Sequence, residues 1–144
     1  MPGDARPQPP ALELAAAGLR ATRQRLAILQ LLRQLDSHPT AREIHRRLLP
    51  KHPNLSQKTV YEVLDALVTA RLASRVVDAG EPCRYEGRAT PHYHARCRIC
   101  GSLIDLPARA DAQIRGRTPL PEGFQVEAIR VTLEGRCLRC RDEI

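Results

Sequence analysis

The chain has 144 residues, of which 42% are hydrophobic and 3% aromatic, and its formal net charge is +7. This length accommodates one ordinary domain or two small ones, and no apolar run approaches the roughly 20 residues of a membrane span, so no membrane partner is expected. The positive charge makes a polyanionic partner plausible. Residues 1–10 are rich in proline and lack the hydrophobic run of a signal peptide, so we expect a short disordered leader on a cytoplasmic protein.

Three segments of the first half have the pattern of amphipathic helices. Apolar residues recur at helical spacing between Thr22 and Leu35. The capping-box sequence Thr40-Ala-Arg-Glu43 opens a second helix that continues to Leu49. Ser56 is a suitable N-cap for a third helix, whose buried face would hold Val60, Val63, Leu64, Leu67 and Val68.

A small hairpin follows the third helix. Residues 72–77 and 83–86 are predicted strands, joined by a turn over residues 78–81. Helices followed by such a hairpin are typical of a winged helix-turn-helix, whose third helix enters the DNA major groove. Residues 1–87 are therefore predicted to form a winged-helix DNA-binding domain.

The exposed face of the third helix is the surface that would meet DNA. It carries Gln57, Lys58, Tyr61, Glu62 and Asp65. The two acidic side chains favour the alternative in which this face is merely solvated. The basic residues before the helix partly offset them, namely Arg20, Arg23 and Arg25.

The second half of the chain has a different pattern. Residues 92–98 and 102–106 are predicted strands, residues 107–117 a helix and residues 125–133 a third strand. Residues 88–144 would thus form a small α/β domain, and the fold class of the whole chain is α+β.

Four of the five cysteines form two closely spaced pairs, Cys97-x-x-Cys100 and Cys137-x-x-Cys140. Two such pairs can present four thiolates about 2.3 Å from one Zn²⁺. The alternative is two disulfides, which require an oxidising compartment that nothing else in the sequence indicates. The pairs therefore predict one structural Zn²⁺ that stabilises the second domain.

A second group of residues has different ligand chemistry. His92 and His94 are two residues apart on a predicted strand, so both imidazoles lie on one face. Asp105 lies on the following strand and Glu86 on the last strand of the wing. Nitrogen and oxygen ligands suit Fe²⁺, Mn²⁺ or Zn²⁺. The alternative for each histidine taken alone is a structural or surface role.

Five short segments are individually common but jointly specific. They are Gly18-Leu-Arg-Ala-Thr22, His38-Pro-Thr-Ala41, Thr59-Val-Tyr61, Pro91-His-Tyr-His94 and Cys97-Arg-Ile-Cys100-Gly101. In these segments the chain resembles the Fur (ferric uptake regulator) family of metal-responsive repressors, from residue 18 to residue 140. The resemblance implies a winged-helix domain and a C-terminal dimerisation domain, acting as a homodimer on double-stranded DNA with an A/T-rich inverted repeat.

The resemblance also implies roles for individual residues. The four paired cysteines would hold structural zinc. A regulatory Fe²⁺ or Mn²⁺ would be bound by His38, Glu86, His92, His94 and Asp105. These ligands come from both domains, so the metal would set the separation of the two recognition helices in a dimer. DNA would be contacted by Arg20, Gln57, Lys58, Thr59 and Tyr61. For His38, spacing alone favours a loop histidine without a role.

The metal ligands indicate a branch of the family. Iron sensors commonly carry an additional histidine and carboxylate metal site in the dimerisation domain. The matching residues here are Pro91, Tyr93 and Ile129, which cannot bind the metal. Zinc sensors usually have a cysteine in place of Glu86. Peroxide sensors usually have Asp at both carboxylate positions and iron sensors Glu, whereas this chain has Glu86 and Asp105. The Pro-His-Tyr-His stretch, Asp105 and the lost additional site favour a PerR-like peroxide sensor in which His38 or His92 gains an oxygen atom. The alternative is a Fur- or Mur-like repressor that responds to iron or manganese without sensing peroxide.

Two other classes of function compete with a repressor. Histidines and carboxylates can form an open iron site for oxygen chemistry, as in some oxygenases. The scarcity of aromatic residues and the small predicted domains leave little room for a substrate pocket, so we expect no enzyme activity. The third class is a zinc-stabilised interaction module that does not bind DNA.

Overall fold

The computed structural model describes residues 8–76, 82–87, 92–108, 116–127 and 129–142. The chain divides into two units, Met1–Ala89 and Thr90–Ile144. Within the described ranges, no helix is both long enough and apolar enough to cross a membrane.

Side-chain caps define the three predicted helices of the first unit. These helices are α2 (Arg23–Gln34), α3 (Ala41–Leu48) and α4 (Gln57–Thr69). The hydroxyls of Thr22, Thr40 and Ser56 each accept a hydrogen bond from the backbone N–H three residues later. The Glu43 carboxylate accepts from the Thr40 N–H at 2.8 Å and completes the capping box. The three helices are confirmed.

A shorter helix precedes them that the sequence pattern did not predict, α1 (Pro10–Ala16). Pro10 was placed in the leader, but it opens this helix, where its missing N–H costs nothing. Leu14 is fully buried, and Glu13 forms an ion pair with Arg33 of α2. Seven residues contain only one core position, which is too few to show a helical period.

The wing of the first unit is an antiparallel hairpin of β1 (Ser74–Val76) and β2 (Arg84–Glu86). Strand β1 begins at Ser74, two residues after the predicted start at Leu72. Val77, where the strand was predicted to end, and the predicted turn at 78–81 lie outside the described residues. On its other side, β2 contacts the segment before α3, because the Tyr85 N–H donates to the Pro39 carbonyl at 2.8 Å.

The core of this unit lies between the helices and the wing. Its fully buried side chains are Leu14, Ile28, Leu29, Ile44, Val60, Leu64 and Leu67. Gly87, directly after β2, packs on α2 so closely that a Cβ there would lie 2.7 Å from the Leu32 Cβ. Only glycine lets the chain pass at this distance, so Gly87 fixes the position of the preceding Glu86.

The second unit contains a three-stranded sheet of β3 (His92–Cys97), β4 (Leu103–Pro107) and β5 (Thr132–Gly135). Strand β3 is central; it pairs antiparallel with β4 and parallel with β5. The predictions for the first two strands are confirmed.

Two other predictions for this unit need correction. Pro107 ends β4 and does not open a helix; residues 109–115 lie outside the described ranges, and residues 116–117 are helical. The last strand begins at Thr132, whereas a strand was predicted over 125–133. The alternating sequence suits a strand, but ladder pairing with β3 runs only from His94↔Thr132 to Cys97↔Gly135.

Candidate metal centres and the nucleic-acid-facing helix

The parallel pairing of β3 with β5 brings the two cysteine pairs together. Cys97 ends β3 opposite Gly135, and the Arg98 N–H donates to the Gly135 carbonyl at 2.8 Å. The four sulfurs, those of Cys97, Cys100, Cys137 and Cys140, all lie within 4.8 Å of one another. All are free thiols, as is Cys83 in the wing, so the structure has no disulfide among its cysteines.

The thiols of this cluster differ in acidity. Backbone N–H groups of Cys100 and Cys137 point at the Cys97 sulfur and lower its pKa to about 6. Burial raises the pKa of Cys140 to about 12. Without a metal, the cluster therefore holds a thiolate at one position and a proton at another. Four sulfur donors converging at this distance fit a closed tetrahedral Zn²⁺ site, whose binding would release the remaining protons.

In the first unit, a histidine and a carboxylate form a buried pair. The His38 Nε2 lies 3.2 Å from a Glu86 carboxylate oxygen, and both side chains are buried. The wing holds them together, because Arg84 donates from its guanidinium to the His38 carbonyl at 2.9 Å. The pair offers one nitrogen and one oxygen ligand.

In the second unit, two histidines and a carboxylate share one face of the sheet. His94 is the register partner of Asp105, and their side chains approach to 3.6 Å. His92 lies 3.8 Å from the same Asp105 oxygen, and the two imidazole centroids are 4.8 Å apart. Tyr93, one residue out of phase, is buried. Two nitrogens and a carboxylate are three ligands of the kind that Fe²⁺ and Mn²⁺ accept.

The predicted DNA-contacting residues lie around α4. Arg20, Gln57, Lys58 and Tyr61 are exposed, and the tyrosine has 48% of its surface accessible. Thr59 is half-buried, and its hydroxyl contacts the capping Ser56 hydroxyl at 2.9 Å.

The acidic residues of α4 each have a basic partner. Glu62 lies 3.8 Å from Lys58, one turn earlier. Asp65 forms an ion pair with Arg75 of β1. Arg75 was absent from the predicted site residues. Its place in the alternating pattern of the predicted wing strand indicated which face of the strand it lies on. That pattern does not show which helix the side chain contacts.

Comparison with known proteins supports one family. The sequence profile of the ferric uptake regulator family matches residues 16–134. The chain is 32% identical over 130 residues to the peroxide-responsive repressor PerR of Staphylococcus epidermidis, covering 90% of this chain and 87% of the relative. The identity to PerR of Staphylococcus aureus is also 32%, covering 90% of this chain and 88% of that protein.

Solved structures show the same fold. The ferric uptake regulator of Pseudomonas aeruginosa with manganese is 27% identical, with a TM-score of 0.72 over 91% of this chain and 99% of that one. The Vibrio cholerae regulator is also 27% identical, with a TM-score of 0.70 over 88% and 98% of the two chains. PerR from Streptococcus pyogenes is 29% identical, with a TM-score of 0.51 over 90% and 89%. On this similarity, which spans nearly the whole chain, the protein belongs to the ferric uptake regulator family.

Proposed function

We propose that this protein is a metal-dependent transcriptional repressor that binds DNA as a homodimer, with Met1–Ala89 reading DNA and Thr90–Ile144 forming the dimer. The proposal rests on the ligand sets of this family member. It has one complete set of four sulfur ligands and two incomplete sets of nitrogen and oxygen ligands. Because its relatives are repressors, we assign it regulation and no enzymatic reaction.

The four-cysteine cluster would hold a structural Zn²⁺. A small sheet with an exposed last strand buries little apolar surface, so its stability depends on cross-linking. Zinc bound by Cys97, Cys100, Cys137 and Cys140 would supply folding free energy on the order of 10 kcal/mol.

The purified protein should therefore contain one tightly bound Zn²⁺ per chain. Cys97→Ser should lose the metal, unfold the second unit and abolish dimers, as measured by elemental analysis, circular dichroism and light scattering. Cys83→Ser is the matched control, because Cys83 lies in the wing and should keep zinc and dimers. A Cys97→Ser protein that remains a zinc-loaded dimer would contradict this assignment.

A regulatory Fe²⁺ or Mn²⁺ would be bound by His38 and Glu86 of the first unit together with His92, His94 and Asp105 of the second. Either set alone leaves an octahedral metal short of protein ligands, whereas together they supply five. A metal that binds this arrangement best stabilises one orientation of the two units, and so one spacing of the α4 helices in the dimer.

Asp105→Asn and Glu86→Gln test this sharing of ligands between the units. Each keeps its side-chain shape but loses a charged oxygen ligand, so each should raise the Mn²⁺ concentration for half-maximal operator binding by roughly tenfold or more. Fluorescence anisotropy of labelled operator DNA gives the measurement, and His52→Ala, a histidine outside both sets, is the control. If only Asp105→Asn has an effect, the metal uses the second unit alone.

DNA would be read by the N-terminal half of α4. The Tyr61 ring is exposed there for contact with bases or thymine methyl groups in the major groove of an A/T-rich inverted repeat. Arg20, exposed before α2, would enter the minor groove, where it reads shape more than sequence.

Tyr61→Ala should weaken operator binding by about 1–3 kcal/mol and leave binding to unrelated DNA nearly unchanged, because the ring contacts bases. Arg20→Ala should mainly flatten the dependence of binding on salt concentration, since it removes one cation. Operator and scrambled duplexes titrated at several salt concentrations provide both readouts. Unchanged operator affinity in both variants would place the recognition surface elsewhere.

We propose that the protein belongs to the peroxide-sensing branch of the family. A bound Fe²⁺ would activate hydrogen peroxide by electron transfer, which Mn²⁺ does not readily do; one peroxide oxygen would end on an imidazole carbon and the other would leave as water. His38 and His92, as ligands, would lie within reach of the oxidant formed. An imidazole that gains an oxygen atom binds a metal poorly, so the repressor would lose its regulatory metal and leave DNA.

After mild peroxide treatment, the iron-loaded protein should therefore yield a peptide containing His38 or His92 that is heavier by one oxygen atom, about 16 mass units. Peptide mass spectrometry and operator binding are followed in parallel, and the manganese-loaded protein is the control, expected to stay unmodified and bound. If the iron form also stays unmodified on its operator, the protein is a Fur- or Mur-like iron or manganese sensor.

A further inference from the structure

Three elements of the first unit meet at Arg75. It lies on β1, its register partner on β2 is Tyr85, and its guanidinium forms an ion pair with Asp65 on α4. Asp65 and, to a smaller extent, the Tyr85 hydroxyl raise the pKa of the Arg75 guanidinium. The side chain is thus held by its ion pair to α4.

Arg75 keeps donors for a further partner. A guanidinium has five N–H donors in one plane, and a single carboxylate does not occupy them all. The Arg75 side chain is 44% exposed, so part of this plane faces solvent. An arginine fixed in this way loses little rotamer freedom when it binds an oxyanion.

The position of Asp65 indicates which oxyanion this is. Asp65 lies one helical turn after Tyr61, and residues four apart share a face of a helix. The Arg75 guanidinium therefore lies at the end of the proposed DNA-reading face, where the sugar-phosphate backbone would border the major groove. An unpaired carboxylate at that position would repel phosphate, and Arg75 neutralises it.

We propose that Arg75 binds a phosphate of the DNA backbone beside α4, with Asp65 holding its guanidinium in position. This inference rests on the proposed DNA-binding function and adds a contact from the wing to those predicted from the sequence.

Arg75→Gln should weaken binding to operator and scrambled DNA by the same factor, roughly tenfold, and lower the slope of log affinity against log salt by about 1, because phosphate contacts carry no sequence information. Arg75→Lys keeps the charge but loses the planar fork, so it should restore the slope and only part of the affinity. Arg141→Gln is the matched control, since Arg141 is also an arginine paired with an aspartate, Asp142, at 3.6 Å.

Variants of Asp65 separate a phosphate contact from a purely structural bridge between helix and wing. Asp65→Asn keeps an oxygen acceptor for Arg75 and removes a negative charge, so it should bind DNA at least as tightly as the native protein. In the Arg75→Gln background, the same change should recover several-fold in affinity, because it removes a carboxylate that has lost its partner. Melting by circular dichroism and zinc content show that each variant is folded.

Two results would overturn the inference. One is an Arg75→Gln variant with native affinity and native salt slope. The other is an Asp65→Asn variant weakened as much as Arg75→Gln, which is the signature of a structural bridge. Should the native protein bind no DNA with any divalent metal, the proposed function itself fails, and that outcome is distinct from both.

Discussion

Strand β3 is the element on which both metal centres depend. Side chains alternate along a strand, so His92 and His94 share one face while Cys97 has the opposite parity. The six residues of β3 therefore place two nitrogen ligands on one face, near the start of the strand, and a sulfur ligand on the opposite face, at its end. The cysteine end is fixed by the parallel pairing of Cys97 with Gly135 of β5. The separate antiparallel pairing with β4 sets the register of the histidines against Asp105. A slip of one residue would turn the imidazoles away from Asp105.

With the proposed ligands, this arrangement would let one strand contribute both to a permanent metal site and to an exchangeable one. Four thiolates form a closed site that favours Zn²⁺ and leaves no position for another ligand. Imidazoles and carboxylates bind divalent metals less selectively, and occupancy then follows the metals available in the cell. Zinc at Cys97 would hold the strand that presents His92 and His94, so the exchangeable site has a rigid support even when it holds no metal.

The sequence predicted the features that depend on local spacing. The capped helices, the strands predicted at 92–98 and 102–106, and the cysteine pairs are each defined by residues close together in the chain. The failures have a common cause, since they depend on partners distant in sequence. Helix α1 exists because Leu14 packs into the core and Glu13 reaches Arg33. The last strand begins at Thr132, and not earlier, because its ladder with β3 is only four residues long.

The charge of helix α4 illustrates the same limit. Counted along the sequence, Lys58, Glu62 and Asp65 give α4 a net charge of −1, which favours a solvated surface. In the folded unit, Asp65 is paired with Arg75, and Glu62 borders an open groove together with Arg20 and Arg25. Because the potential at a surface is the sum over all nearby charges, the proposed DNA-reading helix would approach a polyanion together with the arginines around it, although its own sequence is slightly acidic. Asp65 pairs with an arginine from another element, which a helix considered in isolation cannot reveal.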